Sequence, residues 1–352
     1  MPVGTLATVK ALTPQEVAEI GADILLVNAY HLYLRPGHAL IRNLGGIHPF
    51  MGWPGPILSD SGGFQVFSLA KLLKIDEEGV RFRSHIDGSE HFYTPEFAVE
   101  VQQALGVDIA MPLDHVVAGD ADEATAKDAM TRTTRWLTRC RSAAGDTALF
   151  PIVQGGVHKE LRIAHARELA DLDAPGFAIG GLSVGESKAA QWSMTELVVD
   201  HLPFDRPRYL MGVGSPEDLV EGVARGVDMF DCVLPTRLGR NGGLFTDDGR
   251  VSIKGARFRT VDAPLDPECD CGACTGYSVA YLHHLFRNDE LLAYRLATIH
   301  NLRYLVRLTE RMRASIAAGR FESFASSFME RYRSADASAR SEQREKWSDR
   351  HG

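Results

Sequence analysis

The 352-residue sequence lacks most features that fix a protein's class at a glance. No apolar run approaches the ~18–20 residues that a membrane helix needs. The opening MPVGTLATVKALTPQE carries no apolar core of signal-peptide type, so a cytoplasmic location is the default expectation. Cysteine is scarce: there are five, and three of them (Cys269, Cys271, Cys274) fall within six residues, too few and too clustered for a disulfide scaffold. Positive charge is not in excess. Lys and Arg number 38 against 46 Asp and Glu, a net charge of −8, which argues against unselective coating of nucleic acid and leaves only a local basic face open. No GxGxxG fingerprint follows the first apolar run, and no internal repeat stands out. What is present, 45% hydrophobic and 24% charged residues, describes a soluble globular chain and excludes a disordered or fibrous one. The length suits two domains, or one barrel of about 250 residues with an attachment.

Residues 20–235 repeat one theme, a short apolar run ending in a polar residue or glycine and followed by an amphipathic stretch. The runs are 24–28, 56–60, 108–114, 148–156, 176–181, 208–214 and 228–232, and the helices are clearest at 95–105, 121–143, 158–171, 187–201 and 216–225. Thr94-Pro95-Glu96 and Ser215-Pro216-Glu217 read as helix starts, a capping residue followed by proline. Buried runs alternating with helices predict a parallel sheet, and their number favours a closed (β/α)8 TIM barrel over an open doubly wound sheet. The runs end in Asn28, Asp60, Asp114, Gln154, Gly181, Gly212 and Asp231, at the strand ends where such barrels keep their chemistry. Hairpins are expected at 81–95, around Asp87-Gly88, and at 241–261, turning at Asp247-Asp248-Gly249. Helices follow at 277–287, 290–316 and 320–333. The expected division is 1–240 as the barrel, 241–333 as a zinc-binding subdomain with closing helices, and 334–352 as a polar, frayed tail.

Cys269-x-Cys271-x-x-Cys274, with His300 placed 26 residues later, offers three thiolates and an imidazole for tetrahedral Zn2+. Four protein ligands leave no open position, so the metal would be structural. His283 and His284 compete for the fourth place on the helix nearest the cysteines.

Four further segments could carry chemistry: SDSGGFQ with Asp60, MPLDH with Asp114, the glycine loops QGG and IGGLSVGES with Gln154 and Gly181, and FDCVLPTRLGRNG with Asp231, Arg237 and Arg240. Any one alone could be a helix cap or a turn. Their joint occurrence at the strand ends of one sheet is harder to explain structurally.

MPVGT, NAYHLYLRPG, SDSGGFQVFSL, GVRFRSHIDG, QGG, GFAIGGLSVGE, RYLMGVG, FDCVLPTR, the CxCxxC set and TIHN together resemble the tRNA-guanine transglycosylases, from residue 1 to about 310. The resemblance implies a modified (β/α)8 barrel with a zinc subdomain ligated by Cys269, Cys271, Cys274 and His300, and a homodimer. It implies exchange of guanine, at the first anticodon position of tRNAs with GUN anticodons, for a 7-deazaguanine. Retention at C1′ requires two inversions, hence a covalent enzyme–ribose intermediate. The resemblance places the nucleophile at Asp231 and the general acid/base at Asp60. Asp114 would read the N1–H and N2–H edge of guanine, Gln154 and the Gly181 N–H its O6, and Phe64 and Met211 would sandwich the ring. Ser61, Asn28 and Gln65 would surround the nucleophile pocket, and Leu182 and Val184 would flank the 7-substituent, where a carbonyl near Leu182 could accept the ammonium of preQ1. Val116 stands where bacterial members usually carry cysteine, as in eukaryotic members that take queuine, whereas Val184 follows the bacterial pattern. The expectation leans to preQ1, with queuine as the alternative. The family's capping hairpin ahead of MPVGT is not in this sequence, which puts in doubt the cover of the barrel's lower end but not the chemistry.

Six basic residues in 237–259 face two acids, and six arginines in 287–313 face three, so phosphates could be gripped locally. Arg237 and Arg240 adjoin the nucleophile and resemble the family's contacts to RNA. A flipped-out base in a tight pocket reconciles specific binding with an acidic chain. A non-catalytic tRNA-binding subunit would have lost Asp60 or Asp231, and a metal-dependent hydrolase would show histidines at the strand ends; neither pattern is present.

Overall fold

The computed structural model describes residues 1–69 and 71–333; the expected tail at 334–352 lies outside the described residues. Met1–Gly214 with Arg225–Val233 form one compact unit, and Ser215–Ala224 with the chain from Leu234 form a second. No helix among the described residues is long and apolar enough to cross a membrane.

The first unit is a mixed α/β fold built on parallel sheets. Strands β1 (Leu25–Asn28) and β2 (Ile57–Asp60) are buried along their whole length, which explains why they read as apolar runs rather than alternating ones. They pair in parallel, with Asn28 opposite Asp60, so the register alone sets an amide beside a carboxylate.

An antiparallel meander follows: β3 (Lys71–Ile75), β4 (Val80–Arg83) and β5 (Glu90–Tyr93). The hairpin expected at 81–95 is therefore three-stranded, β3 pairing with β4 on its other edge. Strand β6 (Ile109–Ala110) pairs with β2 and is much shorter than the run 108–114 suggested. Beyond it, the buried Gln102 side chain donates to the Met111 carbonyl and accepts its N–H, at 2.9 Å each, replacing a strand neighbour. Gln102 lies on the helix Pro95–Leu105, which starts at the Thr94 cap and Pro95 and ends at left-handed Gly106, as its sequence signals required.

Strands β7 (Ala148–Leu149) and β8 (Ile152–Val153) flank Phe150-Pro151. β7 pairs with β6, and β8 pairs with β9 (Phe177–Ile179), followed by β10 (Arg208–Leu210) and β11 (Met229–Phe230), all parallel. The two sheets, ordered β1-β2-β6-β7 and β11-β10-β9-β8, meet where Phe150 donates to Ala110 and Pro151 accepts from Ala178. At the opposite edges, Pro2 bridges Cys232 and Val3 bridges Leu26, both in parallel sense.

In the second unit, β12 (Gly243–Thr246) and β13 (Gly249–Ser252) form a hairpin turning at Asp247-Asp248. It ends earlier than 261; a short 3-10 turn, Ala256–Phe258, takes over. The helices Val279–Arg287, Leu291–Ala317 and Phe321–Arg331 follow as the periodicity predicted. The first two pack with the three clustered cysteines, Leu244 and Ile253 into one core.

Candidate active site

Asp60 ends β2 and is almost fully buried. Its Oδ2 accepts N–H from the Asn28 and Gln65 side chains, the latter at 2.7 Å, and its Oδ1 accepts the Ala29 N–H at 3.0 Å. Burial disfavours the carboxylate strongly, and the negative charge of Asp231 adds to this; the three donors offset only part, so the Asp60 pKa stands at about 7. Asp231, half-buried just after β11, is held differently. The Tyr209 hydroxyl (2.6 Å) and the Gly212 N–H (2.8 Å) both donate to its Oδ1. Burial pushes the Tyr209 hydroxyl well above its ordinary range, so it remains a donor.

Asp114 is buried, and burial lifts its pKa to about 6 against hydrogen bonds from Gln154 and Ser61. Gln154 Nε2 donates to Asp114 Oδ2 at 2.7 Å, leaving its second hydrogen for another acceptor and its Oε1 buried without a partner among the described residues. The polar residues expected around the nucleophile thus divide otherwise: Asn28 and Gln65 hold Asp60, and Ser61 holds Asp114. Two glycines permit this packing. A Cβ on Gly63 would lie 2.7 Å from Asp114 Oδ1, and one on Gly181, whose φ is +61°, would lie 2.2 Å from Gln154 Oε1.

The loop after β9 carries Leu182, buried, and Ser183, a non-glycine residue at φ +61°. Glu186 accepts the N–H groups of Ser183 and Val184, the latter at 3.0 Å. Because a trans peptide points its C=O opposite its N–H, the Leu182 carbonyl is turned away from Glu186. Val184 is half-buried and its carbonyl accepts the Gly119 N–H at 3.3 Å, while Val116 is buried. Phe64, on the helix Gly63–Leu69, is 47% exposed, an aromatic face kept out of the core; Met211 is half-buried beside β10.

In the second unit, one donor atom from each of Cys269, Cys271, Cys274 and His300 lies within 4.8 Å of the others, and all four residues are buried. His300 Nε2 donates to the Phe245 carbonyl at 2.7 Å, which turns Nδ1 toward the sulfurs. Around a zinc ion with Zn–S of ~2.3 Å and Zn–N of ~2.0–2.1 Å, tetrahedral geometry separates sulfur from nitrogen by ~3.6 Å. Cys271 Sγ and Cys274 Sγ stand 3.8 and 3.3 Å from His300 Nδ1, so the donor set fits. Of the competing histidines, His283 donates from Nδ1 to the Ile253 carbonyl and His284 lies beside Asn288, both outside the cluster. Arg237, on the helix Leu234–Arg240, is exposed, and Arg240 is half-buried with Nη1 unpartnered among the described residues. In the arginine-rich stretch 287–313, Arg303, Arg307 and Arg311 are engaged by Asp270, Asp266 and Asp247, which neutralises much of that patch.

The profile described as queuine tRNA-ribosyltransferase matches residues 1–334. The chain belongs to the queuine tRNA-ribosyltransferase family. Curated relatives of that name include one from Pelotomaculum thermopropionicum, 56% identical over 334 residues (94% of this chain, 90% of the relative). Those from Symbiobacterium thermophilum and Herpetosiphon aurantiacus are 55% and 57% identical, covering 97% and 94% of this chain and 86% and 85% of their own. As a member of the family the chain is a transferase of tRNA processing, a tRNA-guanine transglycosylase of the queuosine pathway.

Against this family background, three positions at the candidate site carry no signal in the sequence. Tyr209 looks like an ordinary core residue of β10, Glu186 like a solvated acid in a glycine loop, and His165 like any helix histidine. Yet His165, fully buried and with its pKa lowered to about 4, accepts the Gln154 N–H at 2.9 Å as a neutral ring. No local signal distinguishes these residues; their partners lie 3 to 22 residues away.

Proposed function

We propose that this chain exchanges guanine-34 of tRNAs with GUN anticodons (Asp, Asn, His, Tyr) for preQ1, through an ester between Asp231 and the ribose. The observation that carries this is the unequal preparation of two carboxylates in one unit. Asp231 has Oδ1 occupied by two donors, which leaves Oδ2 for attack. Asp60 has a pKa near 7, suited to giving and taking a proton at neutral pH. In the first inversion Oδ2 bonds to C1′, the bond from C1′ to N9 breaks, and protonated Asp60 supplies the proton that guanine needs. In the second, ionised Asp60 takes the N9 proton of the incoming base, that nitrogen bonds to C1′, and the ester breaks. Asp60 returns protonated and the β configuration is kept.

Asp114 as a carboxylate would accept N1–H and N2–H in two charge-assisted bonds. The free hydrogen of Gln154 and the N–H of Gly181 would meet O6. Phe64 and Met211 would cover the two faces of the ring. The Leu182 carbonyl, turned from Glu186, would accept the ammonium of the 7-aminomethyl group, and the Val184 side chain, with Val116, would leave less room than glycine for queuine's cyclopentenediol, which supports preQ1. Arg237 and Arg240 would hold RNA next to the target.

The fold proposed for the catalytic region, residues 1–240, is a closed (β/α)8 barrel. Its support is the chain of hydrogen-bonded neighbours from β1 round to β11, seven staves when β7 and β8 count as one run interrupted at Phe150-Pro151, with Pro2 and Val3 bridging both ends as an eighth. Residues 241–333 would form the zinc subdomain. Zinc supplies no chemistry in the exchange; it would tie the cysteine loop to the helix Leu291–Ala317. A homodimer in the cytoplasm is proposed on the strength of the family resemblance.

The test loads unmodified tRNA with labelled guanine and offers preQ1 or queuine. Displacement by preQ1 and a denaturant-resistant protein–RNA adduct are expected; displacement only by queuine would reassign the base, and no displacement by either would end the proposal.

A further inference from the structure

The helix Lys159–Ala170 buries Arg162 completely. No carboxylate lies within ion-pair distance of it among the described residues, which is unusual, since a buried charge normally has a counter-charge. Instead its guanidinium gathers backbone carbonyls. Nε donates to Gly156 (2.7 Å), Nη1 to Val153 (3.1 Å) and Gly180 (2.7 Å), and Nη2 to Gly181 (3.0 Å). Two of these carbonyls bracket Gln154; the other two belong to the glycine pair after β9. Burial lowers the Arg162 pKa to about 9, so it stays a cation at neutral pH.

A trans peptide whose carbonyl is pinned has its N–H aimed the opposite way. With Gly180 and Gly181 both turned onto Arg162, the N–H groups of Gly181 and Leu182 are aimed away from it. The same side chain fixes the loop that presents Gln154. We infer that Arg162 is a positioning residue: its planar fork sets the donors that meet the 6-oxygen of the base and so makes the enzyme selective for a 6-oxopurine. The fork matters because four carbonyls converge on one plane; the three hydrogens of a lysine ammonium cannot reproduce that pattern. The charge also lies behind donors facing the oxygen on which negative charge develops as guanine departs, where fixed dipoles act without reorganisation.

This inference rests on the base pocket proposed above. The test measures inhibition constants for guanine and 6-thioguanine, which differ only in the acceptor at position six, in the parent and in Arg162→Lys. The parent should prefer guanine. In Arg162→Lys the preference should fall about tenfold, as expected for one misplaced hydrogen bond to the bound base, with KM for tRNA unchanged. A merely structural role would weaken both bases equally and overturn the inference while the pocket stands. A parent without preference would overturn the pocket reading itself. Should the lysine variant not fold, amide exchange in the parent decides: guanine should protect the Gly181 and Leu182 amides, and unprotected amides would refute the inference.

Discussion

The molecule holds two buried polar clusters built on opposite principles. In the second unit, three sulfurs and a ring nitrogen face one another with nothing left to offer a substrate. Even the other nitrogen of His300 is taken, by Phe245. In the first unit, carboxylates are buried incompletely satisfied: Asp60 and Asp114 keep raised pKa values, and Gln154 keeps an oxygen without a partner among the described residues. A closed donor set binds a metal and stabilises; an open one stores the cost of desolvation as reactivity. The difference teaches where to look for chemistry: at the cluster whose polar groups are held but not fully used.

Five experiments bear on that contrast. The largest effect is expected for Asp231→Asn, which should cut exchange by about 10^4-fold or more and abolish the trapped adduct, as loss of a nucleophile does, while the melting temperature stays near that of the parent. Next comes Cys271→Ser, or metal removal by a chelator. Thermal unfolding should show a loss of several kcal/mol, since metal affinity is folding free energy in such sites; a metal-free protein with unchanged melting would end the structural role. Third, Asp114→Ala should raise KM for guanine about a hundredfold, from two lost charge-assisted hydrogen bonds, with KM for tRNA unaltered. The same carboxylate gives a pH signature. Its pKa is about 6, and only the ionised form accepts two N–H groups. KM for guanine should therefore climb as pH falls below 6 and level off above it, whereas kcat, governed by Asp60, should peak near pH 7 and fall on both sides. The smallest effect is Tyr209→Phe: a kcat about tenfold lower from one lost bond to a charged oxygen, with guanine KM unchanged. An effect on KM instead would mean that Tyr209 serves base binding.

Much of the candidate site was legible because its residues stand at fixed places in short motifs. Asp60, Asp114, Gln154 and Asp231 each close an apolar run, and a run that ends in a polar residue marks a strand end. The cysteine spacing displayed three candidate ligands outright; the choice among three histidines needed the fold, which puts His300 on the face of a long helix turned to the sulfurs. Tyr209, His165 and Arg162 were not legible, because each acts through a partner on another element, and Glu186 was not, because it depends on the left-handed turn of its own loop at Ser183.

The alternation of strands and helices, the cap at Thr94, the glycine loops and the cysteine cluster could all be read along the chain, since they follow from local periodicity and backbone preference. Only packing decided how differently two like carboxylates are held, Asp231 by two donors on one oxygen and Asp60 buried with a pKa of about 7. Asp60 and Asp231 are the same residue type at equivalent strand ends; only the depth of burial and the donors brought from β1, β10 and the adjoining loops set them apart, and those are properties of the packed chain.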